Sequence, residues 1–193
     1  MRTYRSPLYM VVTALAFVVA APGVTRSQDA TADSTRAEVD RHDVESIDAI
    51  IGALYDVISG PAGERDWDRF RSLFAPGAVL SAMVPRPDGT SPLRVFTYED
   101  YVGFGGEYFK DNAFYDREAG RALRRFGNIA NTMSFYESRH ALDDPEPFAR
   151  GINTITLVTD GARWYIVSIA WDEVREGNPL PAEWFQELPG SSN

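Results

Sequence analysis

Residues 151–171 contain two stretches of β-branched and aromatic residues that meet at Asp160 and Gly161. Asp-Gly readily adopts the positive φ angles of a short turn, so this segment predicts a long antiparallel β-hairpin. In its second strand, side chains alternate between two faces. This alternation places Trp164, Ile166, Ser168 and Ala170 on one face and Tyr165, Val167, Ile169 and Trp171 on the other. Because both faces are largely apolar, we predict a central strand that is covered on both sides.

Upstream of the hairpin, apolar residues recur every three or four positions in three segments, which is the period of an amphipathic helix. The first predicted helix is capped by Asp43 and stops at Gly60 and Pro61. The second begins at Asp66, carries Trp67, Phe70, Leu73 and Phe74 on its apolar side, and stops at Pro76 and Gly77.

The third predicted helix begins at Thr97, and Asp100 is spaced to complete a capping box. Its interior glycines predict an irregular middle, because each costs about 1 kcal/mol relative to alanine. A charged bend is predicted over residues 111–120. Strands are predicted at residues 78–84, 93–96 and 123–142, the last of them with a bulge at Gly127.

Composition and charge narrow the classes of function. The chain has 193 residues, 44% hydrophobic side chains, no cysteine and a formal net charge of −9. These values predict one domain with an ample core and disfavour nucleic acid or an anionic membrane surface as a partner. The absence of cysteine excludes disulfides, thiol catalysis and lipid attachment through a thiol. His42 and His140 lie far apart and outside any zinc motif, so we expect no metal or cofactor.

The N-terminus has the layout of a secretory signal peptide. Arg2 and Arg5 precede an apolar run over residues 8–21 and a short polar stretch of small residues. The run is shorter than the roughly 20 residues that span a bilayer, although an uncleaved anchor remains the alternative. We therefore predict a signal peptide at residues 1–27, cleavage between residues 21 and 30, and a secreted or periplasmic protein.

The rest of the chain is predicted to form a flexible leader at 28–42, one domain at 43–187 and a disordered tail at 188–193. The leader is too polar to bury enough surface to offset the cost of ordering. Near the C-terminus, Leu180, Trp184 and Phe185 are too apolar for a free end, so we predict that this segment docks on the domain or on a partner.

The order of elements resembles the nuclear transport factor 2-like superfamily, in its SnoaL-like branch. The resemblance covers residues 44–171 and is carried by residues 66–70, 73–78, 126–130, 160–164 and 170–171. It implies an α+β fold in which a curved antiparallel sheet wraps around three helices from the N-terminal half, as in the cystatin-like cone. It also implies a pocket between helices and sheet, and frequent dimerisation through the outer sheet face. The superfamily includes isomerases, dehydratases, cyclases, hydrolases and binding modules, so the fold leaves the function open.

The ketosteroid isomerase pattern of this superfamily suggests candidate site residues. Its catalytic carboxylate belongs in the strand at residues 78–84, which contains no acidic residue, histidine or lysine. Tyr55 resembles the oxyanion tyrosine and Asn153 the oxyanion acid of that pattern. Such a pair can hold or polarise a carbonyl but cannot by itself remove a proton from carbon. Alternatively, Tyr55 is a core tyrosine and Asn153 a polar residue that serves the sheet.

Three functions remain open at this point. The first is binding of a small, mostly apolar molecule by a homodimer, with a pocket formed by Tyr55, Phe70, Phe74, Tyr101, Tyr136 and Asn153. The second is a cofactor-independent isomerase, dehydratase or cyclase in which His140, Asp100 or Glu99 assists Tyr55 and Asn153. The third is a non-catalytic dimeric interaction module with a filled core. An open cavity with convergent polar groups would favour the first two.

Overall fold

The computed structural model describes residues 40–83, 86 and 89–181. The predicted signal peptide, the leader up to residue 39, Trp184, Phe185 and the tail at 188–193 lie outside these residues. Within them, no helix has the length and apolar character needed to span a membrane.

The described chain forms four helices and six strands. In chain order they are α1 (Arg41–Val44), α2 (Ile47–Ile58), α3 (Trp67–Ser72), β1 (Phe74–Met83), β2 (Leu93–Thr97), α4 (Tyr98–Asp111), β3 (Tyr115–Phe126), β4 (Ile129–Arg139), β5 (Ala149–Thr159) and β6 (Trp164–Glu173). The strands make one curved sheet in the order β2-β1-β6-β5-β4-β3. Neighbouring strands are antiparallel except β1 and β6, which are parallel. The predicted α+β class and the central position of β6 are therefore confirmed.

The core lies between the helices and the concave face of the sheet, which we call the inner face. Ile155, Leu157 and Ile166 are fully buried on that face, and Ile50 and Ile51 of α2 are fully buried opposite them. The hairpin of β5 and β6 was predicted correctly, and Gly161 has a positive φ in its turn. Burial of these aliphatic side chains, each worth about 1.5–3 kcal/mol, fixes α2 against the sheet.

Two of the three predicted helix starts are confirmed. Asp66 caps α3, and Thr97 forms the predicted capping box at α4. The first predicted helix is instead divided into α1 and α2, and Ser46 caps α2 by accepting from the Ala49 amide. Asp43 is therefore not the cap, and its carboxylate binds Arg69 of α3 at 2.7 and 2.9 Å.

The first helical turn, α1, also includes residues 41 and 42, which were predicted to belong to the flexible leader. The second predicted helix is shorter than expected, because α3 ends at Ser72 and Phe74 already begins β1. The third is regular throughout, against expectation. Gly105 and Gly106 lie against the Trp67 ring, where an added Cβ would be in ordinary van der Waals contact at 3.6 and 3.7 Å.

The largest difference concerns the segment before and after Gly127. Residues 115–120, predicted as part of a bend, are the first half of β3, and the predicted long strand at 123–142 contains parts of both β3 and β4. Gly127, predicted as a bulge, has a φ of +55° and forms the turn between the two strands. A glycine at the first central position suits the turn types that join adjacent antiparallel strands.

Two bulges change which side chains reach the inner face. In β3 an extra residue lies between Glu118 and Gly120, and in β6 the register shifts at Val167. The shift in β6 puts Ile169 and Trp171 on the same face as Trp164 and Ile166, so the predicted division of faces is wrong in the second half of that strand. A bulge adds one residue to one strand and thereby reverses its alternation.

Candidate functional site

A cavity of about 170 Å³ lies between the inner face of the sheet and the helices α2, α3 and α4. Five of the six predicted ligand-binding residues line it together: Tyr55, Phe70, Tyr101, Tyr136 and Asn153. Phe74 does not line the cavity. It is buried in the core, where its ring packs against Phe70 at 4.8 Å and Tyr98 at 5.2 Å, because it lies at the start of β1.

Tyr55 and Asn153 belong to one buried hydrogen-bond chain. The Asn153 Nδ2 donates to the Tyr55 hydroxyl at 2.9 Å, and that hydroxyl lies 2.8 Å from the Ser134 Oγ. Ser134 in turn donates to Glu118 at 2.6 Å, so the Tyr55 proton points to Ser134. Burial raises the pKa of Tyr55 well above its ordinary value, which keeps it protonated. The structure thus brings the predicted pair together. The Tyr55 hydroxyl donates its proton to Ser134, so it has none to donate to a ligand.

A carboxyl group that the sequence analysis missed also lines the cavity. Asp116 of β3 lies opposite Ser138 of β4, whose hydroxyl donates to the Asp116 Oδ1 at 2.8 Å. Its backbone amide donates to the Ser59 hydroxyl at 2.9 Å, which ties β3 to the end of α2. The cavity therefore contains a carboxyl group on β3, although β1 supplies none.

The environment of Asp116 places its titration near neutral pH. Burial raises the pKa of Asp116 to about 7, although hydrogen bonds from Ser138 and from the Arg117 backbone act to lower it. Among the described residues, no arginine, lysine or histidine forms an ion pair with it. A carboxyl group with such a pKa can accept or donate a proton at physiological pH.

The other candidate catalytic groups lie outside the cavity lining. Asp100 is engaged in the capping box of α4, and Glu99 pairs with Arg71 at 3.0 Å on the surface. His140 is exposed, and its ring stacks on Phe148 at 4.1 Å at the rim of the cavity. None of the three reaches the Tyr55–Asn153 pair. In the described part of the chain, no group of three or more acidic residues or histidines is arranged to hold a metal ion.

Comparison with known proteins identifies the fold. The chain superposes on a Nostoc punctiforme protein of unknown function with a cystatin-like fold, with a TM-score of 0.51 and 10% identity over 66% of this chain and 88% of that one. The chain has the cystatin-like, nuclear transport factor 2-like fold. At 10% identity, this similarity indicates a shared architecture and does not indicate a shared activity.

Two further solved structures are similar over the same part of the chain. A nuclear transport factor 2-like protein of unknown function from Shewanella baltica has a TM-score of 0.41 and 13% identity, over 65% of this chain and 86% of that one. A putative calcium/calmodulin dependent protein kinase II association domain from Xanthomonas campestris has a TM-score of 0.48 and 13% identity, over 67% and 86%. No protein-family model matches the sequence, and neither does any curated protein.

Proposed function

We propose that this protein is an exported domain that binds a small, largely apolar molecule in the cavity between its helices and sheet. The observation that carries the proposal is the convergence of Asp116, Asn153 and Tyr55 on one aromatic-lined cavity. Binding sites typically combine apolar walls with a few polar groups that orient the ligand. Export rests on the arrangement of Arg2, Arg5 and the apolar run at 8–21.

The cavity volume limits the size of the ligand. A cavity of 170 Å³ is close to the roughly 150 Å³ that holds benzene in an engineered protein core. A single substituted ring therefore fits the space. The second N–H of Asn153 and the carboxyl of Asp116 supply the polar end, which suits one carbonyl, hydroxyl or amino group on that ring.

Asn153→Ala tests this proposal. Thermal shift with benzaldehyde, phenol and benzylamine should show that the wild type is stabilised by at least one ring compound. The substitution should weaken that binding about tenfold or more, since a lost buried hydrogen bond costs about 1–3 kcal/mol. Asn131→Ala is the matched control, because Asn131 lies on the opposite, outer face of β4 and bonds Thr156 at 3.3 Å.

Two outcomes would contradict this reasoning. If Asn153→Ala lowers the melting temperature but leaves affinity unchanged, Asn153 serves the sheet alone. If no ring compound shifts the wild type, the binding function itself is wrong, and the interaction module becomes the better proposal.

Asp116 favours a second function, a proton-transfer enzyme such as an isomerase, dehydratase or cyclase. A carboxyl group that titrates near pH 7 in one cavity with the second N–H of the Asn153 amide has the components for moving a proton on a bound ring ketone or alcohol, and Tyr55 positions that amide by accepting its first N–H. Turnover of a bound compound by the wild type and its loss in Asp116→Asn, with binding retained, would distinguish catalysis from binding alone.

We also propose that the protein is a homodimer that pairs through the outer face of its sheet. That face exposes several apolar side chains: Val79 (41%), Val95 (61%), Leu93 (62%) and Ile129 (55%). Such a patch favours association with a second copy.

Light scattering at micromolar concentration should give a dimer, and Val95→Glu should give a monomer. Leu142→Glu changes another exposed aliphatic side chain, one that lies outside the strands, and this variant should remain dimeric. A monomeric wild type would contradict the proposal.

A further inference from the structure

The cavity is lined by aromatic rings and acidic groups and by no basic residue among those that the structure describes there. Asp116 lies within it and Glu173 at its mouth. Besides Tyr55 of α2, aromatic side chains from four further elements and from the segments before β3 and β5 line it: Phe70, Tyr101, Phe114, Tyr136, Phe148 and Trp171. This combination differs from the arrangement that recognises an anion, which requires at least one cation or a set of free amides.

Three arginines on elements around the cavity are already engaged with other partners. The buried Arg65 donates to the carbonyl oxygens of Ile58, Gly60, Pro61 and Gly63 and lies over the Phe109 ring. Arg121 pairs with Glu118 and Asp48, and Arg175 pairs with Asp172. None of these three arginines lines the cavity, so the charge of Asp116 has no counter-ion inside it.

The electrostatic effects on the tyrosines have the same sign. Besides burial, the charges of Glu173 and Asp116 raise the pKa of Tyr136, and those of Asp116 and Glu118 raise the pKa of Tyr55. Burial and the charge of Asp116 also raise the pKa of Tyr101, whereas the charge of Arg65 acts to lower it. When ionised, the carboxyl groups of Asp116 and Glu173 therefore disfavour a further negative charge in the cavity.

We propose that the ligand of this cavity is a small organic cation, namely a protonated amine carried on a single ring, whose ammonium group pairs with Asp116. The inference rests on the proposed binding function and specifies its ligand class. Aromatic faces attract cations, with about 0.5–2 kcal/mol for each well-placed ring. A neutral ring ligand would leave the Asp116 carboxylate with hydrogen bonds from Ser138 and the Arg117 amide but with no opposite charge, which is costly for a charge held largely away from water.

The proposal predicts a characteristic pH dependence. Pairing with an ammonium group requires the ionised form of Asp116, so binding below about pH 7 must expel a proton. The groups that face Asp116 are Tyr55 from α2, Tyr101 from α4, Tyr136 from β4 and Glu173 from β6, with Glu118 on its own strand. The tyrosines stay neutral throughout, and His140 at the rim is directed to the Ala113 carbonyl at 3.5 Å.

Calorimetric titration with benzylamine and with its neutral analogue benzyl alcohol tests the proposal. At pH 8 we expect benzylamine to bind at least tenfold more tightly than benzyl alcohol. Its affinity should fall at least tenfold between pH 8 and pH 5, whereas the affinity of benzyl alcohol should not fall. Asp116→Asn should remove the preference for the amine. Asp143→Asn, which removes the same charge from an exposed turn, should keep it.

The outcomes separate this inference from the function on which it rests. Equal or tighter binding of benzyl alcohol would overturn the cation proposal and leave small-molecule binding intact. Amine binding that persists unchanged in Asp116→Asn would also overturn it. If neither compound binds, the cation proposal is wrong, and the benzaldehyde and phenol titrations decide whether any ligand binds.

Discussion

Replacing Asp116 by asparagine should stabilise the protein at pH 8 by about 2–4 kcal/mol and leave its stability at pH 4 nearly unchanged. The pKa of this carboxyl is about 7 in the folded protein and about 4 in the unfolded chain. Below pH 4 both states are protonated, and there is no difference between them. As the pH rises from 4 to 7, the unfolded state ionises first and stability is lost; above 7 the full cost remains. Each pKa unit corresponds to about 1.4 kcal/mol.

Asparagine removes the charge but preserves the contact, because its amide oxygen can still accept from the Ser138 hydroxyl. Urea denaturation at pH 4, 6 and 8 measures the effect, and Asp143→Asn provides the control for a general change in net charge. Equal stability of wild type and Asp116→Asn at all three pH values would show that the carboxyl is solvated. A protein that keeps such a costly group loses stability for function, as binding and catalytic sites commonly do.

Gly151→Ala should destabilise the protein by about 3 kcal/mol and lower its melting temperature by roughly 10 °C. Gly151 lies opposite Tyr136 on the inner face, and the tyrosine ring occupies the space where a side chain would be. A Cβ at this position would lie 2.5 Å from the Tyr136 hydroxyl and closer still to the Asp172 carbonyl oxygen. The backbone oxygen cannot move without breaking the pairing of β5 with β6.

Gly103→Ala is the matched control for this substitution. It lies within α4, no atom lies within 4 Å of an added Cβ, and alanine there should stabilise the helix by about 0.5–1 kcal/mol. Thermal unfolding of both variants checks the pair. A Gly151→Ala protein as stable as the wild type would mean that Tyr136 moves freely, and the cavity would then lack a fixed wall.

Local signals predicted much of the architecture. The Asp160-Gly161 turn, the cap at Asp66 and the capping box at Thr97 each depend on a few neighbouring residues, and each is confirmed. Four aromatic residues of the cavity were also predicted, namely Tyr55, Phe70, Tyr101 and Tyr136, because apolar periodicity and the family resemblance point to the same face. Phe114, Phe148 and Trp171 were not predicted to line it. Phe74 was predicted there but lies in the core, since the end of a short helix is poorly specified by sequence.

The acid of the site was not predictable in the same way. Even with the Gly127 turn assigned, regular pairing of β3 and β4 would place Asp116 opposite Arg139, on the outer face of the sheet. The bulge after Glu118 moves its partner to Ser138 and turns the carboxyl inward. A bulge is a compromise between strand pairing and the curvature of the whole sheet, so no short stretch of sequence specifies it. Trp171 reaches the cavity through the corresponding bulge at Val167.

The two bulges make this site depend on the length of its strands as much as on their residues. Removing one residue at either bulge would exchange every inward side chain beyond it for an outward one, although no pocket residue had been substituted. During divergence of such a domain, a single codon gained or lost in β3 or β6 would replace the chemistry of the cavity in one step. The same property would allow a designer to exchange the lining of the cavity by altering strand length at two points.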